Sequence, residues 1–252
     1  MTDIETPKRA ARAELEGALI DVAPRTGETV AASYFDVDGT LVKTNLVHPT
    51  LFYLMNQPSP WSTARRIGKA LLRAPAMAAA ELVDRRLFNE ALFAAYEGTS
   101  EDRLLMLAEE AYDTVVRPNL YPGARDLIRA NLDRGHEVVL LSGATDFLLR
   151  YLAKHLGAST IIANRLEIKD GYATGRLLRP VVAGPEKARL IREHARLRGY
   201  DLDACFAYSD SYSDVPMLSV VGHPAAVNPD GRLERLAGAY HWPIFKLDRK
   251  PS

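Results

Sequence analysis

Two aspartates one residue apart, Asp36 and Asp38, stand in the run Asp36-Val37-Asp38-Gly39-Thr40, directly after the apolar segment Val30–Phe35. Carboxylates at i and i+2 on a glycine-containing loop can divide labour, one attacking or holding a cation while the other moves a proton. Three further places carry chemistry that complements them. Ser142-Gly143 follow the apolar run Glu137–Leu141, where a hydroxyl and a backbone N–H at a helix start suit phosphate oxygens. Lys187 follows Gly184-Pro185 at the opening of a helical stretch, and Asp210 and Asp214 bracket a Ser-rich loop after the apolar run Ala204–Tyr208. Together these are the parts of a phosphoryl-transfer site. Asp36 and Asp210, from different loops, can share Mg2+, which keeps several waters and takes few carboxylates. The cation and Lys187 offset the repulsion between an anionic phosphate and an anionic nucleophile. Asp38 can protonate the leaving alkoxide, and Asp214 can hold Lys187 or the metal's waters. Ser142 and Asp214 also suit the caps of the helices that follow them, a role compatible with the first.

Such residues meet only if the intervening chain folds appropriately. Short apolar strands alternate with helical patterns from Ala124 onward: a helix over Ala124–Arg134, strand Glu137–Leu141, helix Thr145–Leu156, strand Thr160–Ala163. A small hairpin turns at Asp170-Gly171, then come helix Pro185–Arg198, strand Ala204–Tyr208, a short helix Val215–Val220, a strand near Ala225–Val227 and helix Arg232–Ala239. This alternation predicts an α/β fold, a Rossmann-like, mostly parallel sheet covered on both faces. Sites in such sheets lie beyond the carboxyl ends of the strands, where all four clusters fall. Between His48 and Arg117 apolar residues recur only at helical spacing, among them Leu51, Leu54 and Met55, Ile67, Leu71 and Leu72, and Leu82. The expected organisation is therefore a polar lead-in over 1–29 with one helix across Ala10–Val22, a core of 30–46 plus 118–252, and an inserted all-helical cap over 47–117.

Composition narrows the partners. Lys+Arg and Asp+Glu both total 32, so no net field favours nucleic acid. No stretch reaches the roughly 18 uninterrupted apolar residues of a membrane span, and no apolar signal segment opens the chain. Arg65, Arg66, Lys69 and Arg73 form a basic face beside Ala70–Ala80. A solvated face of the cap is the first reading for it, with weak membrane-surface contact as the alternative. The single Cys205 sits in an apolar run and forms no disulfide framework, which fits a reducing, cytoplasmic setting. The six histidines are scattered without metal-ligand spacing.

The ordered set Asp36-x-Asp38-Gly39-Thr40, Ser142-Gly143, Lys187 and Asp210-x-x-x-Asp214 resembles the four motifs of the haloacid dehalogenase superfamily. The position of the helical insertion is similar to that of the phosphoserine-phosphatase-like branch, subfamily IB, with its type 1 (C1) cap. The resemblance implies a phosphatase in which Asp36 forms an aspartyl-phosphate and Asp38 is the general acid/base. Mg2+ would be held by the Asp36 carboxylate, the Asp38 carbonyl and Asp210, and the phosphate by Ser142, Gly143 and Lys187; Asp214 and Thr40 support them. The expected substrate is a small organic phosphate ester; transfer to an alcohol acceptor and a catalytically weak phospho-ligand module are the alternatives. Phosphoserine phosphatases carry a glutamate shortly after the first motif for the substrate ammonium, and a cap arginine for its carboxylate. Here Val42-Lys43-Thr44-Asn45-Leu46 has no acid and Leu87–Tyr96 has no arginine, which disfavours phosphoserine.

Overall fold

A computed structural model describes residues 15–24, 29–45, 47–56 and 85–248. The helical pattern around Ile67, Leu71, Leu72 and Leu82, the basic face Arg65–Arg73 and the run Ala70–Ala80 lie outside the described residues.

Among the described residues, seven strands form one sheet. They are β1 (Leu19–Asp21), β2 (Ala31–Phe35), β3 (His136–Thr145), β4 (Thr160–Asn164), β7 (Phe206–Ser209), β8 (His223–Val227) and β9 (Ile244–Phe245), in the order β1-β4-β3-β2-β7-β8-β9. Every pairing is parallel except β1 with β4, which is antiparallel. The expected α/β, Rossmann-like fold is therefore the observed one. Strand β2 is buried along its whole length because both faces are covered. Its side chains divide by the two-residue period of a strand. Phe35 packs on one side with Val138 and Leu140, whereas Ala32 and Tyr34 pack on the other with Val139 and Leu141.

The chain departs from β2 to β3 and β4 on one side, then returns to β7, β8 and β9 on the other. The reversal puts a crevice between the carboxyl ends of β2 and β7, the usual ligand position in an open parallel sheet.

The lead-in expected over 1–29 is not separate from the core. Leu15 and Ala18 are buried in it, and Leu19–Asp21 pairs with Thr160–Asn164 where a helix through Val22 was expected. Leu19 and Ile20 pack against apolar clusters from this edge position. The exposed backbone edge of β4 offers hydrogen bonds that a short helix could not satisfy. Strand β9 was also unread in the sequence, since two residues give no periodicity.

In the cap region the described elements are α1 (Val47–Met55), α2 (Arg85–Phe93) and α3 (Glu101–Ala111), with single turns of other helix types at Ala94–Tyr96, Tyr112–Val116 and Arg117–Asn119. No strand lies among them, as the spacing predicted. The two connections to the core run side by side: Lys43 N–H donates to Asn119 O at 2.8 Å and Tyr121 N–H to Leu41 O at 2.9 Å. A third attachment is the hairpin of β5 (Leu166–Lys169) and β6 (Tyr172–Leu177). Its two turn residues, Asp170 (φ 51°) and Gly171 (φ 78°), both take the left-handed backbone that a tight hairpin needs. Main-chain bonds from Gly98 N–H to Ala173 O (2.7 Å) and from Ala173 N–H to Thr99 O (2.8 Å) hold it to the cap.

Candidate active site

Asp36 leaves the end of β2 and is 4% exposed. Lys187 comes from the first turn of the helix Pro185–Arg198 (α6), which opens after Gly184. Its Nζ donates to Asp36 Oδ1 at 2.6 Å and to Asp214 Oδ2 at 2.8 Å, and all three side chains are almost wholly buried. Burial alone would pull the lysine pKa down; Asp214 and Asp36 outweigh it, so the ammonium is held above its ordinary value. Asp214 Oδ2 also accepts from Ser209 Oγ at 2.8 Å. Asp214 thus anchors Lys187 and leads into the short helix Val215–Leu218 (α7), but its side chain does not cap that helix.

Thr40 joins the two sides of the crevice. Its hydroxyl lies 3.1 Å from Asp36 Oδ2 and 3.0 Å from Asp210 Oδ1. One hydroxyl carries one hydrogen, so it satisfies one of these carboxylates at a time. Burial first, then the charge of Asp36, pushes the Asp210 carboxyl up to about 8. Between them Gly39 has φ 83°, and a Cβ there would stand 2.2 Å from Asp210 Oδ2. The first motif therefore needs glycine both for its turn and for the approach of Asp210. Two carboxylates, Asp36 buried and Asp210 half-buried, that share one donor and repel each other are a donor set suited to a hard divalent cation. No cluster of three His, Cys, Asp or Glu side chains at metal spacing occurs among the described residues, so a third protein ligand would be a main-chain oxygen.

Asp38 faces the other loop. It accepts at Oδ2 from Ser142 Oγ at 3.0 Å, and Ser142 Oγ in turn accepts from Ala144 N–H at 3.0 Å. Strand β3 runs on through Thr145, two residues past the sequence motif, with an irregular register between Ser142 and Thr145. Ser142 therefore sits at the end of a strand, and the helix Asp146–Leu156 (α5) begins three residues beyond Gly143.

Asp36, Asp38, Gly143 and Lys187 share one cavity of about 170 Å³, whose outer wall includes Asn45, Val47, Phe88 and Asn89. Ser142 reaches this group through Asp38, Asp210 through Thr40, and Asp214 through Lys187. All eight residues singled out in the sequence are thus brought to one end of the sheet. The sequence reading missed the polar frame behind them. Buried Asn164 donates to Gly143 O at 2.7 Å and accepts from Val182 N–H at 2.7 Å, fixing the Gly143 peptide against the loop before α6. Asn89 reaches from the cap to Val182 O at 3.4 Å, and Asn228 donates to Thr40 O at 3.3 Å. Asn228 stands in the run Gly222–Pro229, where nothing in its neighbours marks its direction. Of the cap aromatics, Tyr96 is packed internally whereas Phe88 lines the cavity.

Comparison with known proteins identifies the family. The family described as haloacid dehalogenase-like hydrolase matches residues 34–219. The chain is 36% identical to phosphoserine phosphatase SerB1 of Mycobacterium tuberculosis (strain ATCC 25618 / H37Rv) over 234 residues, covering 89% of this chain and 74% of that protein. A Bordetella pertussis Tohama I protein of unknown function superposes with a TM-score of 0.74 at 26% identity, over 87% of this chain and 100% of the other. A phosphoserine phosphatase solved as a phospho-aspartyl intermediate analogue shares the fold, with a TM-score of 0.62 at 20% identity over 88% of this chain and 95% of that one. The chain belongs to the haloacid dehalogenase-like hydrolase family, on its phosphoserine-phosphatase-like branch, and is a phosphatase.

Proposed function

We propose that this haloacid dehalogenase-like phosphatase hydrolyses a small organic phosphate monoester by way of an aspartyl-phosphate on Asp36, with Mg2+ as cofactor. The observation that carries the reading is the buried Asp36–Lys187–Asp214 chain beside Asp210, on the wall of a cavity that also holds Asp38. Asp36 Oδ1 is held in place by Lys187, so the nucleophile's orientation is set before substrate arrives. Lys187 and Gly143 N–H hold the phosphoryl oxygens, and Ser142, whose one hydroxyl hydrogen goes to Asp38 Oδ2, would join them by turning that hydrogen to the phosphate. Asp38, kept in place by the Ser142 hydroxyl, protonates the leaving alkoxide and then accepts a proton from the attacking water. The Asp36 carboxylate, the Asp38 carbonyl and Asp210 would hold the cation, and Thr40 spans two of them. When bound, Mg2+ supplies positive charge that offsets the repulsion between phosphate and carboxylate.

The catalytic core comprises residues 30–46 and 118–252, joined by the edge strand Leu19–Asp21, and 47–117 form a cap that limits access of water and substrate. We place the enzyme in the cytoplasm, a setting supported by the buried, unpaired Cys205, whose thiol burial pushes up. No described helix is long and apolar enough to cross a membrane.

The test is hydrolysis of p-nitrophenyl phosphate with Mg2+, with a chelator, and by the Asp36→Asn variant. The reading requires turnover in the first case and its loss in the other two. Activity that survives in Asp36→Asn removes the proposed nucleophile.

A further inference from the structure

The wall of the cavity facing away from Asp36 specifies a substrate class; this deepens the phosphatase reading and rests on it. All charged side chains of the described lining, Asp36, Asp38 and Lys187, belong to the phosphoryl end. Among the described residues, the rest of the lining is Asn45, Val47, Phe88 and Asn89, with Gly143 and Val182 to Gly184. Glu90, next to Asn89, is directed to Arg179 at 3.3 Å and is not part of this wall.

The two amides are oriented by backbone groups of known polarity. Asn45 Oδ1 accepts from Val47 N–H at 3.1 Å at the start of α1, and lies 2.9 Å from His48 Nδ1. Its oxygen is engaged there, so the NH2 group is what Asn45 offers the cavity. Asn89 is reversed: its Nδ2 donates to Val182 O at 3.4 Å, and its Oδ1 is what remains for the cavity. A carbonyl acceptor and an N–H donor leave no ambiguity in either amide's orientation. One donor and one acceptor on two neutral side chains of the same cavity match a hydroxyl, which can accept from the first and donate to the second. Neither can neutralise a substrate ammonium or carboxylate, and a desolvated charge without a partner is costly. Val47 and Phe88 offer apolar contact to a short carbon chain. A cavity of about 170 Å³ holds on the order of six waters, so the alcohol is small.

We propose that Asn45 and Asn89 form a hydroxyl-reading subsite, and that the substrate is the phosphate ester of a small, uncharged polyhydroxy alcohol.

A matched series tests it: glycerol phosphate, propyl phosphate, aminopropyl phosphate and phosphoserine, with p-nitrophenyl phosphate as the control for phosphatase activity. The expected order of kcat/KM places glycerol phosphate roughly tenfold above propyl phosphate, and both above the two aminated esters. Asn89→Leu should collapse the glycerol-to-propyl ratio toward one. Asn45→Asp keeps a carboxylate oxygen to cap α1, so folding is not at risk, and it should turn preference toward aminopropyl phosphate. Phosphoserine or aminopropyl phosphate matching glycerol phosphate in the unaltered enzyme would overturn the subsite. So would an unchanged glycerol-to-propyl ratio in Asn89→Leu. Absence of turnover for every ester, p-nitrophenyl phosphate included, would instead overturn the phosphatase reading beneath it.

Discussion

The strand ends that carry Asp36 and the cap surface above them are both buried, but they are held by different forces. At the strand ends the polar side chains hold particular partners: Lys187 between Asp36 and Asp214, Ser209 on Asp214 Oδ2, Thr40 between Asp36 and Asp210. In the cap, Tyr53, Phe93 and Tyr96 pack on one another and on Phe147 of the core. Tyr53 and Tyr96 ring centres are 5.3 Å apart, and Tyr53 and Phe147 ring centres 5.7 Å. Only the phenol tips are polar there, bonded at 3.2 Å from Tyr53 to Leu104 O and from Tyr96 to Thr50 Oγ1. Charge and hydrogen-bond geometry fix the first region, volume and ring contact the second. Substitutions at the strand ends should therefore remove chemistry, whether or not they also lower stability, and those under the cap should lower stability while sparing the chemistry.

The largest effect is expected at the nucleophile. Asp36→Asn should lower kcat on p-nitrophenyl phosphate by at least roughly 10³-fold with the circular dichroism unchanged, since the amide keeps the shape and loses the attacking charge. Next comes the ion pair behind it. Asp214→Ala leaves the buried Lys187 with one counter-charge and strips Ser209 of its acceptor. It should cost about 3 kcal/mol in urea unfolding as well as activity. An equal loss of stability in Asp36→Asn would blur the contrast between the regions. On the cap side, Phe147→Ala should destabilise by about 3 kcal/mol through the cavity it opens. The chemistry of the enzyme that remains folded should change far less than in Asp36→Asn.

The smallest effect concerns a third buried polar group, at the opposite end of the sheet. Glu137 accepts from Thr160 Oγ1 at 2.6 Å and from Tyr200 OH at 2.8 Å, with His194 Nε2 3.7 Å away. Burial raises its pKa, but the contacts with His194, Thr160 and Tyr200 outweigh this and bring it down from 4.5 to about 2. The folded value lies below the unfolded one, so the stabilisation is present above the unfolded pKa and fades as pH falls toward about 2. Unfolding free energy should drop by up to a few kcal/mol between about pH 5 and pH 2, and Glu137→Gln should flatten that slope. A slope unchanged in Glu137→Gln would assign it to other carboxylates.

The same contrast explains what the sequence made legible. Phosphoryl transfer demands particular residue types at strand ends, so Asp36, Asp38, Ser142, Lys187 and Asp210 stood out against an α/β pattern before any coordinates. Helix Pro185–Arg198 was also readable to the residue, because Pro185 opens it and Gly199 closes it with φ 76°. Strand β1 was not: three residues paired only at an edge leave too little periodicity to compete with a helical reading of their neighbours. Asn164 and Asn89 were equally silent, since an asparagine bonded to a distant backbone group looks like any polar residue. What they hold is a peptide more than fifteen residues away in sequence.

The central claim is that Asp36 itself receives the phosphoryl group, and mass spectrometry of enzyme quenched in acid during turnover tests it directly. A single phosphoryl group on the peptide containing Asp36, absent from Asp36→Asn, is the predicted result. Rapid hydrolysis with no phosphoryl adduct under any quench condition, or an adduct on Ser142 in place of Asp36, would contradict it.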